Sequence, residues 1–300
     1  MEASIIARNV SLSVPNYVQA ERSARTFFST LLAAATSRPR REFRTILSNI
    51  DFEAHEGDRI ALLGRNGAGK TTLLRVLSGA FQPTEGSVEV HGTRQALLNL
   101  GLGFNAEATV RENVFLRAAA MAWPAREVSA QLPSILAFAG LEECANHRLA
   151  TLSSGQRMRL GFAISTSIQH DIMLMDEWFG AGDAEFVDKA RLRMTDRVRG
   201  SKIVVLASHN FQMLREVCNR GVVVDHGRVV FSGEVREAID AYKAIYQSTP
   251  EYLARRAQAE ADESDAARTR RRRRDRQARR AGPAGSQVAD GSGAGETDER

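Results

Sequence analysis

The chain alternates short runs that are apolar at every position with longer stretches whose apolar residues recur at helical spacing. Ile60-Ala61-Leu62-Leu63, Ile172-Met173-Leu174-Met175, Ile203-Val204-Val205-Leu206 and Val222-Val223-Val224 are runs of the first kind. A strand covered on both faces reads as a continuous hydrophobic run, so these four predict central strands of a largely parallel sheet. Leu73, Leu74, Val76 and Leu77, just after the first run, fit one buried face of a helix. The alternation extends from Ile5 to about Gln247 and predicts an α/β domain over residues 1–247. Between about 106 and 165 the pattern turns helical, with a break at Trp123-Pro124, which predicts a mostly helical subdomain. After that the character changes. Ser248-Thr249-Pro250 ends the periodic region, a charged Ala/Glu/Arg stretch follows, and residues 281–300 are rich in Gly, Ser, Ala and acid. Such a segment buries too little apolar surface to fold alone, so 248–300 is expected to be a disordered charged tail.

Length and charge narrow this picture. A chain of 300 residues holds one large or two ordinary domains. Its formal net charge is +5, which by itself suggests a nucleic-acid or anionic-membrane partner. From Arg268 to Arg280, however, there are nine arginines and one aspartate. Subtracting that local +8 from the net +5 leaves −3 for the remaining residues, so the periodic region is mildly acidic. No apolar run approaches the roughly 20 residues of a bilayer span, and the first residues show no cationic start before an apolar stretch. A soluble, unexported chain is expected, with any membrane role passing through a partner. Cys144 and Cys218 lack CxxC spacing and are read as small buried hydrophobes in a reducing compartment.

The strongest local signal follows the run Ile60–Leu63. Gly64-Arg65-Asn66-Gly67-Ala68-Gly69-Lys70-Thr71-Thr72 has the form G-x-x-x-x-G-K-[ST], placed between a strand and a helix as that motif requires. Its glycines let backbone N–H groups wrap phosphate, and the helix N-terminus adds partial positive charge. Lys70 is expected to reach the β and γ phosphates, and the Thr71 hydroxyl to hold Mg²⁺. The chain has 4 lysines against 37 arginines, yet places a lysine here, where a compact ammonium suits the site better than a planar fork. Further on, Ser153-Ser154-Gly155-Gln156 opens a helical run as a capping box. Asp176-Glu177 ends the second apolar run, and Ser208-His209 follows the third, the position where parallel sheets place ligands.

Together, Gly64–Thr72, Leu152–Gln156, Asp176-Glu177, Gly182-Asp183 and His209 resemble the nucleotide-binding subunit of an ABC transporter. The resemblance implies a P-loop NTPase fold: a RecA-like parallel sheet core, an antiparallel β subdomain and a helical subdomain carrying the signature motif. It implies a homodimer in which each ATP lies between the phosphate loop of one subunit and the signature loop of the other. By the same resemblance Asp176 coordinates Mg²⁺ through water, Glu177 polarises the attacking water as general base, and His209 contacts the γ-phosphate. Ser153 and the Gly155 N–H clamp that phosphate from the partner, Ser154 and Gln156 belong to the same loop, and Asp183 sits across the dimer interface. The chemistry is phosphoryl transfer to water, dominated by positioning and charge neutralisation.

A narrower resemblance rests on Ala96–Phe104, on Thr109 through Asn113, on the serine pair Ser153-Ser154 and on Gly182–Phe186. With the long excursion between Tyr17 and Phe43, these are similar to ATPases that export O-antigen, capsule and teichoic acid. The implied substrate is a polysaccharide or lipid-linked glycan moved by a separate polytopic permease of the ABC-2 type. The implied location is peripheral, on the cytoplasmic face of the cell membrane. Some positions depart from the family pattern. Asn105 stands where many ABC subunits have a longer glutamine near Mg²⁺ and water, and Ser154 replaces the first signature glycine. The aromatic expected to stack on adenine falls at Val14, leaving Tyr17 as the substitute, and Trp178 follows Glu177 where a small residue is usual.

About fifty polar residues after Pro250 are too few for a glycan-recognition domain, so polymer choice is expected to lie elsewhere. A second reading makes the chain a soluble ABC-type ATPase acting on nucleic acid through Arg268–Arg280. It lacks the sustained heptads and the second cassette that such proteins carry, so nucleic acid is not the expected partner. A third keeps the fold and weakens the enzyme, through Asn105 and Val14. The arginine run is read first as a solvated tail and next as a contact to anionic lipid.

Overall fold

A computed structural model describes residues 2–18, 40–98, 103–177 and 184–248. Two compact units divide the chain, Met1–Ala244 and Ile245–Arg300. Arg268–Arg280, Trp178, Gly182, Asp183 and the Tyr17 side chain fall outside the described residues, and the expectations attached to them stay as stated above.

In the first unit the strands form two sheets. Strands β1 (Ser4–Val18), β2 (Arg40–His55) and β4 (Glu85–His91) build an antiparallel sheet in the order β2-β1-β4. Strands β3 (Arg59–Leu63), β5 (Arg94–Leu97), β6 (Ile172–Asp176), β7 (Ile203–Ala207), β8 (Arg220–Asp225) and β9 (Arg228–Glu234) build the other. Its order is β5-β6-β7-β3-β8-β9, parallel throughout except for the antiparallel edge strand β9. The four continuous apolar runs fall in β3, β6, β7 and β8, and none of their residues exceeds 3% exposure. Cover on both faces is thus the reason for the unbroken hydrophobicity.

Helix α1 (Lys70–Leu77) lies between the two sheets. Its Leu73, Leu74, Val76 and Leu77 share one core with Ile5, Val10, Leu47 and Ile50 of the antiparallel sheet and with Leu62, Leu174 and Val205 of the parallel one. Burial of each such side chain contributes about 1.5–3 kcal/mol, so the helix that carries the phosphate loop is anchored on both sides.

The helical subdomain is present as expected: α2 (Val110–Ala120), α3 (Ala125–Ala139), a 3-10 turn at Leu149–Thr151 and α4 (Ser154–Ser165). It has its own core, including Val114, Leu132, Ile135, Leu136, Leu160 and Ile164. The Trp123-Pro124 break separates α2 from α3, where the Trp123 indole donates to Glu127 at 3.1 Å. Phe162 of α4 lies 5.9 Å from Phe138 of α3 and 5.8 Å from Phe186 of α5 (Ala184–Gly200), an aromatic cluster that joins these three helices. Helix α6 (Phe211–Val217) follows β7, and α7 (Val235–Gln247) buries Val235, Ala238, Ile239 and Tyr242, the one-face spacing of an amphipathic helix.

One buried polar side chain fastens the loop ahead of α2. Asn113 is fully buried; its amide nitrogen donates to the carbonyls of Asn105 (2.9 Å), Ala108 (3.2 Å) and Thr109 (2.9 Å), and its Oδ1 accepts from the Asn105 N–H (2.8 Å). The two cysteines differ, contrary to the expectation that both are buried. Cys218 is buried, and desolvation pushes its thiol up to about 12; Cys144 is half-buried at the rim of the helical core, in the turn after α3.

Two outcomes follow. Asn113→Ala leaves the Asn105 N–H without its acceptor and is expected to cost about 2–3 kcal/mol, read as a lower urea midpoint at constant slope; an unchanged midpoint contradicts the role. In the native protein one thiol, Cys144, is expected to react quickly with a disulfide reagent at pH 8, and both only after denaturation; loss of the fast phase in Cys218→Ser rather than Cys144→Ser would refute the assignment.

Candidate nucleotide site

The phosphate loop leaves the buried end of β3 and enters α1 through Gly69, which caps the helix with left-handed backbone at φ 108. A side chain there would meet Leu47 Cδ2 at 3.0 Å and Gly227 Cα at 3.7 Å. Gly227, at φ 76 in the turn between β8 and β9, approaches β2 so closely that a Cβ would collide with the Ile46 carbonyl. Hydrogen bonds complete the junction: Ser48 N–H donates to Gly227 O and Gly227 N–H to Ala68 O, both at 2.9 Å. Loop, turn and strand thus approach closely enough that only glycine fits at positions 69 and 227. The first turn of α1 holds no acidic residue, so its free N–H groups favour an anion.

An open cleft of about 590 Å³ lies over this loop. From the loop come Arg65, Asn66, Gly67, Gly69, Lys70, Thr71 and Thr72. Gly64 and Ala68 hold the loop's buried side. Lys70 Nζ donates to the carbonyls of Gly64 (2.6 Å) and Arg65 (3.0 Å), which centres the ammonium in the loop. Burial lowers the Lys70 pKa, opposed by the nearby Asp176 and Glu177 carboxylates. Thr71 Oγ1 donates to Asp176 Oδ2, bringing a hydroxyl and a carboxylate oxygen together at the end of β6. Oxygen-only donors suit a hard cation such as Mg²⁺. Among the described residues no group of three or more His, Cys, Asp or Glu could hold a metal.

Glu177 and His209 complete the wall formed by β6 and β7. Glu177 has φ 64, a left-handed conformation that a long side chain adopts only at a cost, and its N–H donates to Ala207 O at 2.8 Å. His209 Nε2 stands 4.0 Å from Glu177 Oε1. The turn that carries His209 is braced, since Asn210 N–H donates to Ser208 Oγ (3.1 Å) and Asn210 Oδ1 caps α6 through the Met213 N–H (3.1 Å).

Other expected site residues stand apart from the cleft. Asn105 is exposed, and its Oδ1 accepts from the Glu107 N–H at 3.0 Å. Ser153 and Gln156 form the expected capping box on α4: Ser153 Oγ accepts from Gln156 N (3.1 Å), and Gln156 Oε1 from Ser153 N (2.9 Å). Ser153 and Ser154 are exposed; Gly155 and Gln156 are half-buried. Val14 is half-buried against the core and pairs with Arg44, whereas Tyr17 pairs with Arg41, about 10 Å further along β1. The cleft also contains residues that carry no motif: Arg44, Thr45 and Ile46 of β2, and His226 and Gly227 of the β8–β9 turn. Only Asp225-His226-Gly227 had a local signature, that of a tight turn.

Residues 47–180 match the ABC transporter family. The chain is 36% identical over 229 residues to the O-antigen export system ATP-binding protein RfbE of Yersinia enterocolitica, covering 75% of this chain and 96% of that one. It is 34% identical over 199 residues to RfbB of Myxococcus xanthus, of which it covers 46%, and 28% identical over 255 residues to the teichoic acids export ATP-binding protein TagH of Staphylococcus epidermidis, of which it covers 95%. Two solved structures share the fold. One is an ATP-binding subunit of an ABC transporter (TM-score 0.58, 19% identity, 80% of this chain and 93% of that one). The other is a dimeric ATP-binding cassette with ADP and Pi (TM-score 0.56, 22% identity, 77% and 99%). The chain therefore belongs to the ATP-binding subunits of the ABC transporter family, among the relatives that export O-antigen and teichoic acid.

Proposed function

We propose that this chain is the ATP-hydrolysing subunit of an exporter that moves a polysaccharide or lipid-linked glycan across the cytoplasmic membrane. The observation that carries the reading is the convergence of Lys70, the Thr71–Asp176 pair, Glu177 and His209 on one cleft. Lys70 and the loop N–H groups bind the phosphates, and Thr71 and Asp176 would hold Mg²⁺, which neutralises phosphate charge. Glu177 accepts a proton from the attacking water as its oxygen bonds the γ-phosphorus, and ADP departs with the bridging oxygen. His209 orients the γ-phosphate beside Glu177.

The cleft is open to solvent, and exposed Ser153 and Ser154 stand away from it. Both features support a head-to-tail homodimer in which the partner's signature loop closes each ATP site. Among the described residues no helix is long and apolar enough to cross a membrane, which supports a separate permease. The names of the relatives, which are ATP-binding proteins for export of O-antigen and teichoic acids, support a glycan polymer as cargo, and the proposed place of the subunit is peripheral, on the cytoplasmic face.

Three measurements test this. Glu177→Gln is expected to retain ATP, accumulate as a dimer in gel filtration and lose at least about 100-fold in turnover; normal hydrolysis removes the general base. Lys70→Ala is expected to weaken ATP binding itself, and unchanged affinity contradicts the phosphate role. Affinity purification from detergent-solubilised membranes is expected to retain a polytopic permease, and a chain that purifies alone while hydrolysing ATP refutes export but leaves the ATPase.

A further inference from the structure

The six-stranded sheet gives the cleft a direction. β3 delivers the phosphate loop in the middle; β6 and β7, on one side of it, deliver Asp176, Glu177 and His209; β8, on the other, delivers the turn with His226. Phosphates lying across the loop present the terminal one to the carboxylates, so the nucleoside end points toward β8. There β2 and the β8–β9 turn are in backbone contact through Ile46, Ser48 and Gly227. Arg44, Thr45 and Ile46 all line the cleft where β2 shifts register against β1, and Arg44 stands two positions, about 7 Å, along the strand from the Ile46 carbonyl that Gly227 approaches. His226 adjoins Gly227. The His226 side chain is 82% exposed, and its Nδ1 lies 3.0 Å from Asp225 Oδ2, an interaction that holds the ring at one edge and leaves most of its surface uncovered. Left-handed backbone at φ 45 is one that histidine tolerates better than most side chains. On β1 the position opposite Arg44 is Val14, whose side chain packs into the core.

We propose that His226 and Arg44 form the nucleobase contact, the imidazole ring and the guanidinium plane stacking on the purine of ATP. Both groups are planar and stack on bases without needing a particular hydrogen-bond pattern. The inference rests on ATP lying over the phosphate loop, as in the proposed function.

The test compares binding of ATP, ADP and inorganic tripolyphosphate to the full chain by calorimetry. His226→Asn keeps a residue suited to the left-handed turn and removes the ring. It is expected to weaken ATP and ADP on the order of tenfold and to leave tripolyphosphate unchanged. Arg44→Ala is expected to act in the same direction, and His226→Phe to recover most of the ATP affinity. Unchanged ATP affinity in His226→Asn, or equal loss of ATP and tripolyphosphate, overturns the inference. So does a loss of ATP affinity that follows Tyr17→Ala or Phe43→Ala instead, which puts the base on the β1–β2 hairpin. A wild-type chain that binds tripolyphosphate and no nucleotide better overturns the base contact alone; one that binds neither overturns the nucleotide reading with it.

Discussion

The site depends on a contact between three backbones. Gly69 of the phosphate loop lies against the Leu47 side chain and against Gly227 of the β8–β9 turn, and Gly227 approaches the Ile46 carbonyl of β2 too closely for any side chain. The bonds Ser48 N–H to Gly227 O and Gly227 N–H to Ala68 O lock the junction. A loop that must present several N–H groups to one anion loses its advantage if it has to reorganise on binding. Close packing removes that freedom, and burial of α1 between two sheets holds the helix behind it. The same junction brings Arg44 and His226 to the cleft, so the constraint that fixes the loop also shapes the far end of the cleft.

At the other end, strain and bracing replace glycine. Glu177 is held in left-handed backbone while its N–H is bonded to Ala207 of the neighbouring strand, so strand pairing compensates a conformation that the residue disfavours. The helical subdomain answers to different fastenings. Asn113 ties the backbone of Asn105 to α2, and the Phe138–Phe162–Phe186 cluster ties α4, with Ser153 at its start, to α3 and α5. Asn105 and Ser153–Gln156 are therefore fastened to the helical subdomain rather than to the phosphate loop.

Much of this was legible in the chain itself. Four unbroken apolar runs marked the central strands because two-sided burial leaves no polar position, and G-x-x-x-x-G-K-T marked the loop because phosphate binding needs both backbone freedom and a point charge. Ser153-x-x-Gln156 was readable as a helix start, and the structure has that capping box. Asp176, Glu177 and His209 were readable from their places at strand ends. Arg44 and His226 were not, since each belongs to the site only through a register and a turn that bring segments distant in sequence into contact. Cys144 and Cys218 look alike as letters and differ in burial, which depends on neighbours from other elements.

Sequence by itself determined the central strands, the phosphate loop and the family, because local periodicity and short motifs carry those requirements within a few residues. Tertiary structure alone decided which side of the loop faces the carboxylates and what lines the opposite end. Strand order is a property of long-range pairing, in which β7 and β8 take their places beside β3 although more than a hundred residues separate them in the chain. No local pattern encodes that order, and it is what gives the cleft its direction.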